Sequence, residues 1–254
     1  MSFPELLSIE FRKLRRSHIG WLLVIAPALV VSSGVAHISQ YFTPEYTDAW
    51  SAMFIQSALL YAYYLLPLTM VVACALISGR ETQCGGLRKM LSLPIDRRLL
   101  SLSKFCVLVG LLLLELALFF LTFLTAGGIA TRAMGVSEAM PLADLLRWCA
   151  GLFATGLPAL AVMWMICALF EKPLISIGLN LLLIIPGVLA AATPLWPFYP
   201  YCYSGYLVSC SLHAFTSGGA ASTLPLFPLV PCAIAIAGLS LALAMARFGL
   251  REAR

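Results

Sequence analysis

Six long apolar segments alternate with shorter polar connections along this chain. They cover residues 19–38, 52–77, 105–126, 148–170, 174–192 and 226–246. A helix of about 20 mainly apolar residues crosses the hydrocarbon core of a bilayer, and each segment is long enough. The pattern therefore predicts an all-α integral membrane protein, in which residues 1–254 form a single domain with six transmembrane helices.

Composition supports lipid as the surrounding solvent. Hydrophobic residues make up 61% of the chain and charged residues 11%, whereas a soluble domain carries about 25% charged residues. The net charge of +5 does not indicate a nucleic-acid partner, because the basic residues stand at the ends of apolar segments. A nucleic-acid groove would interleave them with aromatic residues on a solvated face.

The distribution of basic residues predicts the topology. All of the 16 Lys and Arg residues except Arg132 and Arg147 fall in the N-terminal segment, the connection after the second span, the turn after the fourth span and the C-terminal tail. Basic residues accumulate on the cytoplasmic side of membrane proteins. We therefore expect a multi-pass protein of the cell membrane with both termini in the cytoplasm.

Two connections have features of their own. Residues 2–17 predict an amphipathic helix on the inner membrane surface, with Leu6, Leu7, Phe11 and Leu14 on its apolar side. Its polar side carries Glu10, Arg12, Lys13, Arg15 and Arg16, and the cations would lie near anionic lipid headgroups. Residues 193–225 contain no Asp, Glu, Lys or Arg but many aromatic residues. They predict an outer re-entrant or interfacial helix near 207–215, in preference to a polar loop.

Glu115 interrupts the third apolar segment, and a carboxylate inside a membrane has to face protein or water. Two interpretations stay open for it: a contact on the substrate path or gate, or a neutral hydrogen-bonded acid between helices. Trp196, Tyr199 and Tyr201 are further candidates for the path.

Motifs for chemistry are absent from the sequence. It has no Gly-x-x-x-x-Gly-Lys phosphate loop, no Cys-x-x-Cys and no histidine spacing typical of a metal site. A disulfide between Cys202 and Cys210, which share the outer connection, stays open. An intramembrane enzyme is a second hypothesis, although Glu115 and His213 would be its only acid or base.

The connection 79–104 predicts a short helix over 87–93, because Gly85 and Gly86 end the preceding helix and Pro94 stops the next one. Its apolar residues Leu87, Met90 and Leu91 fit a groove on a soluble partner. A solvated loop that merely follows the charge rule is the alternative.

The segment ETQCGGLRKMLSLPIDR (81–97) resembles the cytoplasmic signature of ABC type-2 export permeases, although Gly86 stands where Thr is frequent. IEFRKLRRS (9–17) is similar to the start of that family, and Lys104 fits its third span. The resemblance implies an identical or related second permease, and a cytoplasmic ATPase subunit that binds ATP and Mg while this chain binds no cofactor. It also implies that coupling to the ATPase involves Glu81, Gly85, Gly86, Leu87, Arg88, Lys89, Met90, Leu91, Pro94 and Arg97.

Within that family, the small size and the segment PLWPFYPY (194–201) resemble the lantibiotic (bacteriocin) immunity branch. This resemblance implies export of an antimicrobial peptide from the membrane. The alternatives are another drug or lipid-like substrate, and a passive membrane immunity protein that works without ATP.

Overall fold

The computed structural model describes residues 3–15, 19–36, 49–82, 97–134, 140–170, 172–216 and 224–249, and their regular structure is entirely helical. The helices are α1 Phe3–Arg15, α2 Ile19–Ala36, α3 Ala49–Leu60, α4 Leu66–Thr82, α5 Arg97–Met134, α6 Leu142–Leu169, α7 Pro173–Ile184, α8 Gly187–Ala191, α9 Tyr203–Thr216 and α10 Leu226–Gly249. A π-helical turn, Tyr61–Leu65, joins α3 to α4. Two 3-10 turns, Trp196–Phe198 and Pro200–Cys202, precede α9.

Five helical stretches in this part of the chain are long and apolar enough to cross a membrane. They are Trp50–Gly79, Arg98–Ala133, Leu142–Leu169, Pro173–Ala191 and Leu226–Phe248. A sixth is obtained when α1 and α2, which are bent by 70° relative to each other, are counted together. The all-helical, multi-span prediction is confirmed, and the observed number of spans is five to six.

The helices extend past the predicted spans. The third predicted span, 105–126, is only the centre of α5, which has 38 residues. At 1.5 Å per residue it is about 57 Å long, whereas the hydrocarbon core is about 30 Å thick. Hydropathy locates the part of a helix that lipid surrounds, and helical hydrogen bonding continues into the polar residues beyond it.

Proline residues explain the irregular places in two spans. The fifth predicted span is divided into α7 and α8 at Ile185 and Pro186, because proline has no N–H for the helical ladder. The Leu66 N–H bonds the carbonyl of Tyr61 across the π-helical turn. This wider turn stands just before Pro67, whose ring would crowd the carbonyl four residues earlier in a regular helix.

The core is one cluster of buried apolar side chains to which most of the long helices contribute. Four aromatic rings extend along the contact between α3 and α5: Trp50 and Phe54 against Phe119 and Phe123, with Phe54 and Phe123 centred 5.4 Å apart. The outside keeps large apolar side chains exposed, for example Trp21, Leu174 and Phe227. Such a surface suits lipid better than water.

Helix α9 packs into the bundle against α3, the π-helical turn and α6. The ring of buried Tyr63 fills the place of a side chain at Gly205, so that an added Cβ would lie 2.2 Å from that ring. The Tyr63 hydroxyl is also held 3.0 Å from Ser209 Oγ. The close approach of α9 therefore depends on glycine at position 205.

We expect Gly205→Ala to destabilise the packing of α9 by about 1–3 kcal/mol, because an overpacked core has to move buried groups. Reversible unfolding in mixed micelles measures this cost. Gly238→Ala in α10 is the matched control, because no atom lies within 4 Å of its added Cβ; it should be neutral or slightly stabilising. Equal stability of the two variants would contradict this description.

Candidate functional site

A buried group of charges joins α1 to the beginning of α5. The Lys104 Nζ lies 3.2 Å from Glu10 Oε2, and the Lys13 Nζ lies 2.6 Å from Glu10 Oε1. Lys104 is only 1% exposed and Glu10 5%. We call Glu10, Lys13 and Lys104 the ion-pair cluster; it fixes α1 against the helix that follows the 83–96 connection.

The ion-pair cluster corrects one expectation about α1. The sequence placed Glu10 on a solvated polar side and Phe11 on the apolar side, but Glu10 is buried while Phe11 is 44% exposed and contacts α5 at Gly110. The reason is the buried Lys104, which needs an anion beside it. Glu10 stands four residues after buried Leu6, and therefore on the same face of the helix.

Burial by itself would raise the pKa of Glu10, but the ammonium groups of Lys104 and Lys13 outweigh it. The net result is a pKa below the ordinary value for glutamate. Glu10 is therefore a carboxylate in the folded protein at neutral pH, as the ion pair requires.

Removal of one partner of the ion-pair cluster should release α1. Lys104→Met leaves a buried, partly compensated carboxylate, and breaking a buried ion pair costs about 3–5 kcal/mol. We expect amide hydrogen exchange in α1 to accelerate at least about tenfold, with less change in α6. The double variant Glu10→Leu with Lys104→Met should restore part of the protection, because both buried charges are removed and the Lys13 side chain, 43% exposed, is solvated. Unchanged exchange in Lys104→Met would show that the ion pair does not hold α1.

The attachment of α1 should also depend on pH. A carboxyl group whose pKa is lowered by folding stabilises the fold fully above its unfolded pKa, about 4.3, and loses that contribution as the pH falls through the lower folded pKa. We expect α1 protection, corrected for intrinsic exchange, to be constant above about pH 5 and to fall below about pH 4. In Glu10→Gln the protection should be lower at neutral pH and should not show this step.

The predicted coupling residues lie within or next to residues 83–96, which are outside the described part of the chain. Gly85, Gly86, Leu87, Arg88, Lys89, Met90, Leu91 and Pro94 fall outside the described part of the chain. Glu81 is in the last turn of α4, and Arg97 is the first residue of α5. The two ends of the segment are therefore helical, and its short helix stays a prediction.

The aromatic candidates of the 193–225 connection make specific polar contacts. The Tyr201 hydroxyl donates to Asn180 Oδ1 at 2.7 Å, and Asn180 in turn donates to the carbonyl of Ser176 at 2.7 Å. The Tyr199 hydroxyl donates to the carbonyl of Leu183. These bonds attach the connection to the last two turns of α7, just before buried Ile184.

The ring of Trp196 stacks on Tyr206 with centroids 4.4 Å apart, and Ser204 lies 3.2 Å from Thr155 in α6. The sequence predicted a helix over 207–215 here, and the structure has α9 over Tyr203–Thr216. Its depth in the membrane stays a prediction.

Cys202 and Cys210 are both free thiols, so the disulfide left open by the sequence is not formed.

Glu115 lies in the middle of α5 and has no exposed surface. Its Oε1 atom is 2.6 Å from the hydroxyl of Thr69 in α4. Leu112, one turn earlier, lines a cavity of about 20 Å³ that Tyr201 also lines, which is room for one water molecule. The structure therefore does not bring Glu115 into direct contact with Trp196, Tyr199 or Tyr201, and its role on a path stays a prediction.

Sequence reasoning missed four polar residues that organise these sites: Lys104 as an ion-pair partner of Glu10, Thr69 and Tyr61 beside Glu115, and Asn180 beside Tyr201. A single threonine, tyrosine or asparagine in an apolar segment is common in transmembrane helices. Only the fold shows which of them meet.

Within the described residues no group of three His, Cys, Asp or Glu side chains is arranged to hold a metal ion. A cavity of about 290 Å³ between α5 and α6 is lined by apolar groups, including Leu116, Phe120 and Phe153.

The helices and their apolar exterior define the class: a multi-pass membrane protein. Comparison with protein families gives the next step, because the model described as ABC-2 family transporter protein matches residues 6–187. This match covers well over half of the chain, and the protein belongs to the ABC-2 transporter family. No curated protein compared with the chain matches it.

Membership in this family gives the protein its general role. Such chains are the membrane component of a transporter and are not catalytic themselves, since ATP is bound and hydrolysed by a separate subunit. An ATP-binding partner is therefore implied for this chain.

Proposed function

We propose that this chain is the permease of an ATP-driven exporter that expels an antimicrobial peptide of the lantibiotic type from the cell membrane. The family match over residues 6–187 supports the transporter role. The peptide substrate is supported by the likeness of residues 194–201 to the immunity branch and by the absence of a long polar outer domain in the sequence.

The proposed coupling element is the segment between α4 and α5, residues 83–96. α4 and α5 are long helices that pack in the core, so a displacement of the ends that this segment joins would be transmitted to the middle of the bundle. With its basic residues Arg88 and Lys89 and its apolar residues Leu87 and Leu91, the segment would seat on the ATPase subunit. In this proposal both termini lie on the cytoplasmic side, where the ATPase is.

The ion-pair cluster gives α1 a role in the same proposal. Lys104 is seven residues after Arg97, about two helical turns into α5, and it is held by Glu10. Movement of the start of α5 would therefore carry α1 with it. The exposed face of α1, with Glu5 and Arg12, would move along the inner headgroup region.

An amphiphilic substrate suits the described surfaces. The cavity of about 290 Å³ between α5 and α6 is almost wholly apolar, and the aromatic residues Trp196, Tyr199 and Tyr201 stand in the connection proposed to be external. A peptide with an apolar face could pass from lipid along such surfaces. A second permease, identical or related, would complete the path.

Two alternatives remain, one for the substrate and one for the mode of action. A drug or lipid-like molecule would use the same apolar surfaces. A passive immunity protein would bind the peptide without ATP, and protection that survives loss of the ATPase subunit would favour it.

The coupling proposal is tested by Leu87→Asp and Leu91→Asp in the predicted short helix. A charge on its apolar side should weaken seating on the ATPase, because carboxylates are poorly solvated in an apolar groove. We expect peptide export and permease-stimulated ATP hydrolysis to fall at least about tenfold (~1.4 kcal/mol), while membrane insertion is unchanged.

Ser92→Asp is the matched control, since residue 92 points about 100° away from residue 91 in a helix. Cells that carry each variant are compared for survival in the peptide, and purified complexes are compared for ATP hydrolysis. Full coupling in both leucine variants would reject the proposed role of residues 83–96.

A further inference from the structure

Five oxygen atoms form a small polar group inside the bundle, which we call the Glu115 cluster. Glu115 Oε1 lies 2.6 Å from Thr69 Oγ1, and Thr69 Oγ1 lies 2.8 Å from the carbonyl oxygen of Leu66. Glu115 Oε2 and the Tyr61 hydroxyl have no partner of ordinary hydrogen-bond geometry among the described residues. The Tyr61 side chain lies near enough to Glu115 for the two residues to influence each other electrostatically.

A count of protons limits how the Glu115 cluster is bonded. A threonine hydroxyl carries one hydrogen, so Thr69 cannot donate to both Leu66 and Glu115. If Glu115 is a neutral acid, it donates from Oε1 to Thr69, and Thr69 donates to the Leu66 carbonyl. Oε2 then remains an acceptor. Every short distance in the cluster is explained in this way.

The ionised alternative leaves a charge without compensation. Glu115 is completely buried, and no cation in the described part of the chain pairs with it. Lys104 is 11 residues earlier on the same helix, about 16 Å along its axis, and is engaged with Glu10. A carboxylate at such a depth costs about 2.5–3.5 kcal/mol even on insertion scales.

Among the described residues, the helices packed on α5 offer no counter-charge closer to Glu115 than Lys104. Their charged and titratable side chains are Glu5, Glu10, Arg12 and Lys13 on α1, Tyr61, Tyr63 and Tyr64 in the π-helical turn, Cys74 on α4, Asp144, Arg147, Cys149 and Cys167 on α6, and Cys232 and Arg247 on α10. The cations among them stand toward helix ends. Tyr61, the titratable group that interacts with Glu115, is neutral at physiological pH.

The Glu115 cluster also bridges two spans at an irregular place. Tyr61 belongs to the π-helical turn, and its ring stacks on Phe119 of α5 at 4.5 Å. π-helical turns occur often at functional sites. Separation of α5 from α4 would break the bond from Glu115 to Thr69 and admit water, which favours the ionised acid.

We propose that Glu115 is a proton-binding site inside the membrane: it holds one proton while α4 and α5 are packed together, and it releases that proton to water when the two helices separate during transport. Only the release step rests on the proposed transport function. The chemistry is a single O–H ionisation, in which the acid becomes a carboxylate and the proton passes to water.

Infrared spectroscopy of the full chain in lipid nanodiscs tests the bound proton directly. A protonated carboxyl group has a C=O stretch that is separate from the carboxylate bands. We expect this protonated band at neutral pH in the wild type and its loss in Glu115→Gln. Glu10→Gln is the control, because it removes a carboxylate that is held in an ion pair and should leave the band in place.

Absence of the band from folded wild-type protein, or its persistence in Glu115→Gln, would overturn the proposal whether or not the chain transports anything. A folded state is verified on each sample by its unfolding transition. Glu115→Gln keeps the donor and the shape, so it should unfold near the wild type, whereas Glu115→Leu should be less stable.

The release step is tested in the complex with the ATPase, trapped by ATP and vanadate. We expect the protonated band to disappear on trapping, and export by Glu115→Gln to lose the pH dependence of the wild type. A band that persists in a trapped complex, or the same pH dependence in Glu115→Gln, would show a permanently neutral structural acid and overturn the release step. Absence of any ATP-driven export would instead reject the proposed function, and the resting-state band would still decide the bound proton.

Discussion

Lipid solvates neither charges nor unpaired polar groups, so polar side chains inside this protein have to satisfy one another. Three polar contacts among the described residues illustrate how the bundle meets this constraint. Lys104 pairs with Glu10, Glu115 with Thr69, and Asn180 with Tyr201. Each pair joins two segments that are distant in sequence, so the same bonds that remove an energetic cost also set how the helices pack.

The spans were accessible from the sequence, because hydropathy reports the part of each helix that lipid surrounds. The sequence did not reveal three other features: the full 38 residues of α5, the π-helical turn before Pro67, and the division of the fifth span at Pro186. Those features depend on where hydrogen bonding continues or is interrupted by proline. The period of α1 was recognisable, but its buried face was misassigned at Glu10, since its partner Lys104 is 94 residues away.

The candidate sites divide in the same way. The segment 81–97 is recognisable by its local pattern of glycine, leucine and proline, and the family match agrees with the family which that pattern indicated. Glu115 stood out because a carboxylate in an apolar run is rare. Its partners Thr69 and Tyr61 did not stand out in the sequence, because their contact with Glu115 is created by the packing of α5 against the second span. In the proposed function, local sequence supplies the contact with the ATPase, and the fold supplies the polar bonds that would change as the spans move.

Reconstitution tests the central claim, a permease driven by a separate ATPase, most directly. The full chain is placed in proteoliposomes with a candidate ATPase subunit, and ATP hydrolysis and movement of a fluorescently labelled antimicrobial peptide are followed together. We expect the two proteins to co-purify and peptide movement to require both ATP and this chain. Failure of the ATPase to bind the chain, or peptide movement that is the same without ATP, would contradict the claim.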